Sequence, residues 1–212
     1  MVKKNLWANV GALTPLDEVK FVIRDREDFE WVVAKIREHG IDARCTVLMS
    51  VAGILSAVES FRCGLVEVTG GEPLIQDGVN DLFSALCDRG YEVLVETSGS
   101  LDIGGIDRRV KRIVDFKCPG SGMVKKNLWS NLAVIAPQDE VKFVILDRGD
   151  FDWAVGAIRE HGIDNRCTVL MSVVFGQLEP LDLARWILEE GINARFQLQT
   201  HKYIWEPTAR GV

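Results

Sequence analysis

Asp17-Glu18-Val19-Lys20-Phe21-Val22-Ile23 recurs unchanged as Asp139-Glu140-Val141-Lys142-Phe143-Val144-Ile145. The same offset of 122 carries Ile36-Arg37-Glu38-His39-Gly40-Ile41-Asp42 onto Ile158 to Asp164, and Arg44-Cys45-Thr46-Val47-Leu48-Met49-Ser50-Val51 is repeated, without a gap, as Arg166 to Val173. A fixed period of self-similarity marks a reused supersecondary unit. Inside the unit, Glu18 to Ile23 is a β-rich run. Phe29, Val32, Val33 and Ile36 then fall at i, i+3, i+4 and i+7, one face of a helix that Gly40 ends at the favoured position. Cys45 to Val51 is nearly continuous in apolar residues, as a strand covered on both faces should be. The repeated unit reads as βαβ.

Outward from the repeat the alternation continues. Ile54, Ala57, Val58 and Phe61 mark a short helix, Leu65 to Thr69 a strand, and Val79, Leu82, Phe83 and Leu86 a helical stripe closed by Gly90. Glu92 to Glu96 and Arg112 to Phe116 read as strands joined by a poor helix around Asp107–Lys111. After the second copy come a helix through Leu181, Ala184 and Ile187, stopped by Gly191, and a last strand, Arg195 to Gln199. Eight strands separated by helices, parallel by the crossover rule, predict a closed (βα)8 TIM-like barrel spanning 1–212 as one domain. Residues 1–51 are a copy of 123–173, and 52–212 form the remainder. An open doubly wound sheet is the alternative.

The mismatches between copies gather at 10–14 against 132–136 and at 32–35 against 154–157, where a reused piece meets new neighbours. Exposed-looking residues such as Lys3, Lys4, Glu38 and His39 are kept. That pattern favours deliberate assembly over a drifting natural duplication.

Lys and Arg number 25 against 31 Asp and Glu, a net charge of -6, which argues against a nucleic-acid partner. The densest basic run, Arg108, Arg109, Lys111 and Arg112, reads as a solvated helix end. No apolar run approaches membrane-spanning length, and Met1-Val2-Lys3-Lys4 lacks a signal-peptide core, so a cytoplasmic protein without a membrane partner is expected. The cysteines are Cys45, Cys63, Cys87, Cys118 and Cys167, an odd set of free thiols read as small buried hydrophobes. Glu67, Glu96, Asp115, Lys117, Lys20 and Lys142 lie in or beside strands, and carboxylate–lysine pairing inside the lumen is expected, with Lys20 the likeliest local misfit. His39 and His161 read as capping or surface residues, and Trp31, Trp153 and Trp186 as helix packing.

From about Ile54 onward the chain resembles the 7-carboxy-7-deazaguanine synthase family of radical S-adenosylmethionine enzymes. The resemblance is carried by Val68-Thr69-Gly70-Gly71-Glu72-Pro73-Leu74, Glu96-Thr97-Ser98-Gly99, Asp115-Phe116-Lys117-Cys118-Pro119, the Asp139 to Ile145 run, and Gln199 to Trp205 with Arg210-Gly211-Val212. It implies contraction of a tetrahydropterin carboxylate to a deazaguanine with loss of ammonia, using S-adenosylmethionine, a 4Fe–4S cluster and magnesium on an incomplete six-stranded barrel. It further implies that Gly70, Gly71 and Glu72 meet the amino and carboxylate ends of S-adenosylmethionine. Thr97 and Ser98 would sit near its ribose, and Lys117, His201, Lys202 and Arg210 would line the substrate pocket.

Two departures from the family pattern stand out. The family's first strand leads into a three-cysteine loop whose thiolates hold the cluster. Here a copied strand stands in that place, and no two cysteines lie closer than 18 positions. Ser172-Val173-Val174 replaces the family's Ser-Pro-Val turn. The expectation is therefore an engineered chimeric scaffold with the inherited sites vestigial, no catalytic residues, no metal and no cofactor. Its alternatives are a module with residual S-adenosylmethionine or pterin binding, or a divergent synthase. The resemblance adds a homodimer or domain-swapped oligomer as the expected assembly.

Overall fold

Each apolar run of the repeat folds as a short strand, and each 3.6-period stripe as a helix. The computed structural model describes residues 7–16, 18–21, 26–44, 46–49 and 51–207. In chain order the elements are β1 (Glu18–Phe21), α1 (Arg26–His39), β2 (Thr46–Met49), α2 (Val51–Glu59), β3 (Leu65–Val68), α3 (Val79–Asp88) and β4 (Glu92–Thr97). There follow β5 (Lys111–Asp115), β6 (Glu140–Ile145), α4 (Arg148–His161), β7 (Thr168–Val173), α5 (Pro180–Glu190), β8 (Ala194–Phe196) and α6 (His201–Ile204).

Every strand pairing is parallel. β3 to β8 form one sheet in sequence order, and β1 pairs with β2. Alternation along the strands splits the sheet into two faces. Val93, Val95, Val114, Phe116, Val141, Phe143, Ile145, Val169 and Met171 form one buried face, packed with Leu82, Phe83 and Leu86 of α3, Phe151 and Ile158 of α4, and Leu183 and Ile187 of α5. Glu96, Asp115, Lys142 and Ser172 alternate onto the opposite face.

The described strands thus form an open six-stranded sheet and a separate pair, in place of the closed eight-stranded ring expected from the strand count. The outer strands of the described sheet are short or sparsely covered. Leu65 and Glu67 of β3 are exposed. β8 has three residues, and Arg195 at its centre holds Glu140 Oε1 at 2.5 Å.

The two copies fold alike. Trp7 stacks on His39 at 4.4 Å and tilts against Trp31 at 5.9 Å, and Trp129 stacks on His161 at 4.6 Å and tilts against Trp153 at 6.1 Å. These histidines are stacking partners of tryptophan rather than capping or free surface residues. Trp129 additionally stacks on Phe116 at 4.6 Å. Trp31 is exposed and Trp153 half-buried, while Trp186 tilts against Phe151 at 5.6 Å.

Two further expectations are corrected. The segment expected as a helix, Asp107–Lys111, is a turn that runs into β5 at Lys111, and in it Arg109 bridges Asp107 and Asp88, each at 2.7 Å. Arg112 is buried and holds Asp139 Oδ2 at 2.5 Å, because it shares the core face of β5 with Val114. β7 runs regularly to Val173, which is buried. Among the described residues, no helix is long and apolar enough to cross a membrane.

Candidate functional site

β3 hands the chain to Gly70 and Gly71, whose φ angles of +96° and +59° lie in the left-handed region that favours glycine. A Cβ built on either would meet nothing within 4 Å, so this backbone borders open space. Glu72 then caps the short turn Pro73–Ile75 and accepts a hydrogen bond from the Leu74 amide at 3.2 Å. Its carboxylate also accepts from Thr97 Oγ1 at 2.8 and 2.9 Å, from the Ser98 amide at 2.8 Å, and from Ser98 Oγ. The glycine turn after β3 is thereby fastened to the end of β4.

Burial works to raise the Glu72 carboxyl, but the Ser98 and Thr97 donors outweigh it and hold the group below its ordinary 4.5. A depressed carboxyl contributes stability that is fully present above its unfolded value and lost as pH falls through the folded one. Glu72→Gln is therefore expected to flatten the pH dependence of thermal unfolding below about pH 4.5. An unaltered acid limb in the variant would refute this account of Glu72.

On the polar face, Lys142 Nζ meets Glu96 Oε1 at 2.7 Å and Lys117 Nζ meets Asp115 Oδ2 at 2.5 Å. Asp115 and Lys142 are register partners on β5 and β6. The expected carboxylate–lysine pairing holds for both pairs, while the side chain of Lys20 lies outside the described residues. Burial raises the Asp115 carboxyl, with Lys117 and Lys142 opposing, and Asp115 Oδ1 has no hydrogen-bond partner. Asn127, which the sequence reading passed over, clamps Lys117. Its Oδ1 accepts from the Lys117 amide at 2.8 Å and its Nδ2 donates to the Lys117 carbonyl at 2.9 Å. A cavity of about 470 Å³ opens beside this pair, with Asp115, Lys117, Val144, Val174, Gln177 and Gln199 in its wall.

Lys202 Nζ lies 5.7 Å from the Phe175 ring centroid, and Tyr203 meets the same ring edge-on at 5.3 Å. These contacts seat α6 beside the exit of β7. His201 is exposed on that helix, and Arg210 lies outside the described residues. The inherited residues therefore form two groups: Gly70, Gly71, Glu72, Thr97 and Ser98 at β3 and β4, and Lys117 with its cavity at β5. Among the described residues, no hydrogen bond joins His201 or Lys202 to Lys117.

The thiols are dispersed in character as well as in sequence. Cys63 is exposed, Cys87 half-buried, and Cys118 and Cys167 are buried. Burial pushes Cys167 up to about 11 and Cys118 higher still, so both stay protonated. Cys45 lies outside the described residues, among which no three His, Cys, Asp or Glu side chains converge to hold a metal ion. An iron–sulfur cluster needs neighbouring thiolates. The described thiols do not fit one, whereas the glycine backbone after β3 leaves open space beside it for a ligand.

No protein-family profile matches the chain. A Chlorobaculum tepidum protein named 7-carboxy-7-deazaguanine synthase is 41% identical over 212 aligned residues, covering 93% of this chain and 96% of that protein. The Koribacter versatilis protein of the same name is 41% identical over 163 residues, covering 70% and 72%. The crystal structure of QueE from Escherichia coli shares the fold with a TM-score of 0.53 at 20% identity, over 72% of this chain and 64% of that one. These relatives overturn two expectations. Two proteins 41% identical over 93% and 70% of this chain carry the name of an enzyme, which removes the reading as an engineered, inactive scaffold. The expectation of no cofactor falls with it, since the resemblance to that family implies S-adenosylmethionine and a cluster.

Proposed function

Because the chain belongs to the 7-carboxy-7-deazaguanine synthase family, we propose that it is a divergent synthase that binds S-adenosylmethionine and a carboxylated tetrahydropterin at the C-terminal end of its six-stranded sheet. The observation that carries this reading is the fastening of Gly70, Gly71 and Glu72 to Thr97 and Ser98. In the proposed complex, the glycine backbone lets the ligand approach closely, and Glu72, held by Thr97, Ser98 and Leu74, fixes the course of that backbone. Thr97 and Ser98 stand on the ribose side. Lys117, held by Asp115 and Asn127, presents a cation to the substrate carboxylate, with His201, Lys202 and Arg210 closing the pocket. In the family, S-adenosylmethionine supplies radical chemistry when an iron–sulfur cluster gives it an electron. The described thiols do not fit the cluster, and no step is assigned to it.

Anaerobic calorimetry with S-adenosylmethionine, followed by a turnover assay after iron and sulfide reconstitution, tests the reading. Saturable binding of S-adenosylmethionine is expected, weakened about tenfold by Glu72→Gln, and ammonia released from the pterin would show that the chain acquires the cluster its described thiols do not fit. Heat from neither ligand would defeat the proposal, and binding without turnover would remove its catalytic half.

The finer reading of the fold belongs with this proposal: residues 1–212 act as one domain in which β1 and β2 continue the sheet towards a closed (βα)8 barrel. The matching tryptophan–histidine stacks of the two copies support it. It requires a single cooperative unfolding transition.

A further inference from the structure

Five consecutive residues, Asn127 to Asn131, hold the exits of both β4 and β5. Asn127 grips the Lys117 backbone with both polar atoms of its side chain. Asn131, 1% exposed, serves the other strand. Its Nδ2 donates to the Leu101 carbonyl at 2.8 Å and to the Gly99 carbonyl at 3.3 Å, and its Oδ1 accepts from the Ile103 amide at 3.3 Å. Between the two asparagines, the Leu128 amide donates to the same Gly99 carbonyl at 3.0 Å. Trp129 lies flat on Phe116, the residue before Lys117. The backbone after β4 thus draws hydrogen bonds from the segment that precedes β6. An amide side chain suits that task, since it offers two donors and an acceptor at once.

Ser98 sits on the backbone so held. It donates its amide to Glu72 at 2.8 Å, and its hydroxyl lies 2.8 Å from Ser100 Oγ. Gly99 beside it has a φ of +67°, and a Cβ there would meet Val114 Cγ1 at 2.9 Å. The turn therefore packs hard against β5 while Asn131 and Leu128 tie its carbonyls. Fixing Ser98 fixes Glu72, which in turn accepts from the Leu74 amide beyond the two glycines.

We propose that residues 127–131 form a strut that keeps the glycine turn after β3 and Lys117 after β5 in fixed relation, with Asn131 and Asn127 as the positioning residues of the two groups. Loosening one end is felt at the other, because Leu128 joins the Asn127 backbone to Gly99. The consequence for ligand affinity rests on the S-adenosylmethionine reading above, whereas the mechanical link does not.

Residue-resolved amide hydrogen exchange on the full chain, without ligand, is the test. Asn131→Asp keeps the side chain's shape and loses both donors. It is expected to speed exchange of the Ser98 and Leu74 amides about tenfold, the worth of one buried hydrogen bond. Asn127→Ala is expected to speed Lys117 by a similar factor and Ser98 by about threefold, although the Asn127 side chain bonds Lys117. The amides of β6 are the reference and should change less than about twofold. Acceleration that includes β6 equally would reduce both asparagines to general stability and overturn the proposal. Effects confined to each residue's own strand exit would overturn the coupling, as would an unmoved Ser98. Should Asn131→Asp not fold, the response of Ser98 to Asn127→Ala decides the matter. In calorimetry, Asn127→Ala is expected to weaken S-adenosylmethionine about threefold. A wild type that binds none defeats the ligand reading and leaves the exchange result to judge the strut.

Discussion

Asp139→Ala is expected to lower unfolding stability by about 3–5 kcal/mol, seen as a fall of roughly 6–20 °C in Tm. Asp139 is fully buried, and its two oxygens accept three hydrogen bonds. Oδ1 takes the Arg112 amide at 2.9 Å, and Oδ2 takes Arg112 Nη2 at 2.5 Å and the Ala136 amide at 2.8 Å. Removing the carboxylate strands a buried guanidinium, whose Nε already lacks a partner, together with two amides. The penalty is desolvation of what remains rather than loss of one attraction. The double variant Arg112→Met with Asp139→Leu separates these causes. It removes the stranded charge and should regain part of the loss, though the two amides stay unpaired. A single variant within about 1 kcal/mol of wild type would contradict the burial of this pair.

Trp129→Ala should cost about 3 kcal/mol, and Trp7→Ala, its counterpart in the first copy, about 1 kcal/mol. Both indoles stack on a histidine and tilt against a second tryptophan with nearly equal geometry. Trp129 also lies flat on Phe116, which is fully buried at the end of β5, and Phe116 in turn stacks on Phe143 at 6.4 Å. The local sequence is shared, so the difference measures what the six-stranded sheet adds. Chemical denaturation of the two variants compares them directly, and equal losses would show that the first copy is seated as firmly as the second.

Strands and helices were legible because their periodicities are local: β6 and α4 fall where the runs in their sequence place them. Closure was not, because counting strands says nothing about which edges meet. The edges carry contacts between distant positions, such as Arg195 with Glu140, that no local run encodes. Arg112 was misread within a basic run, although strand alternation with Val114 already pointed it inward. At the site, Gly70 to Glu72 with Thr97 and Ser98 could be named from motif residues. The Asn127 clamp on Lys117 spans an irregular ten-residue loop that carries no periodic signal, and Gln199 lines the same cavity as Asp115 although the two lie far apart in the chain. The missing thiol triad was plain from cysteine spacing. The functional expectation nevertheless gave that absence too much weight against the rest of the family's motifs.

The duplication has a further consequence. Val19-Lys20-Phe21 and Val141-Lys142-Phe143 are the same residues with the same neighbours in sequence, so their amide protons share one intrinsic exchange chemistry. Their surroundings differ, since β6 is flanked on both sides by hydrogen-bonded strands whereas β1 is paired with β2. Any contrast in deuterium uptake between the two stretches therefore reports the free energy of local opening alone, with the chain serving as its own reference peptide.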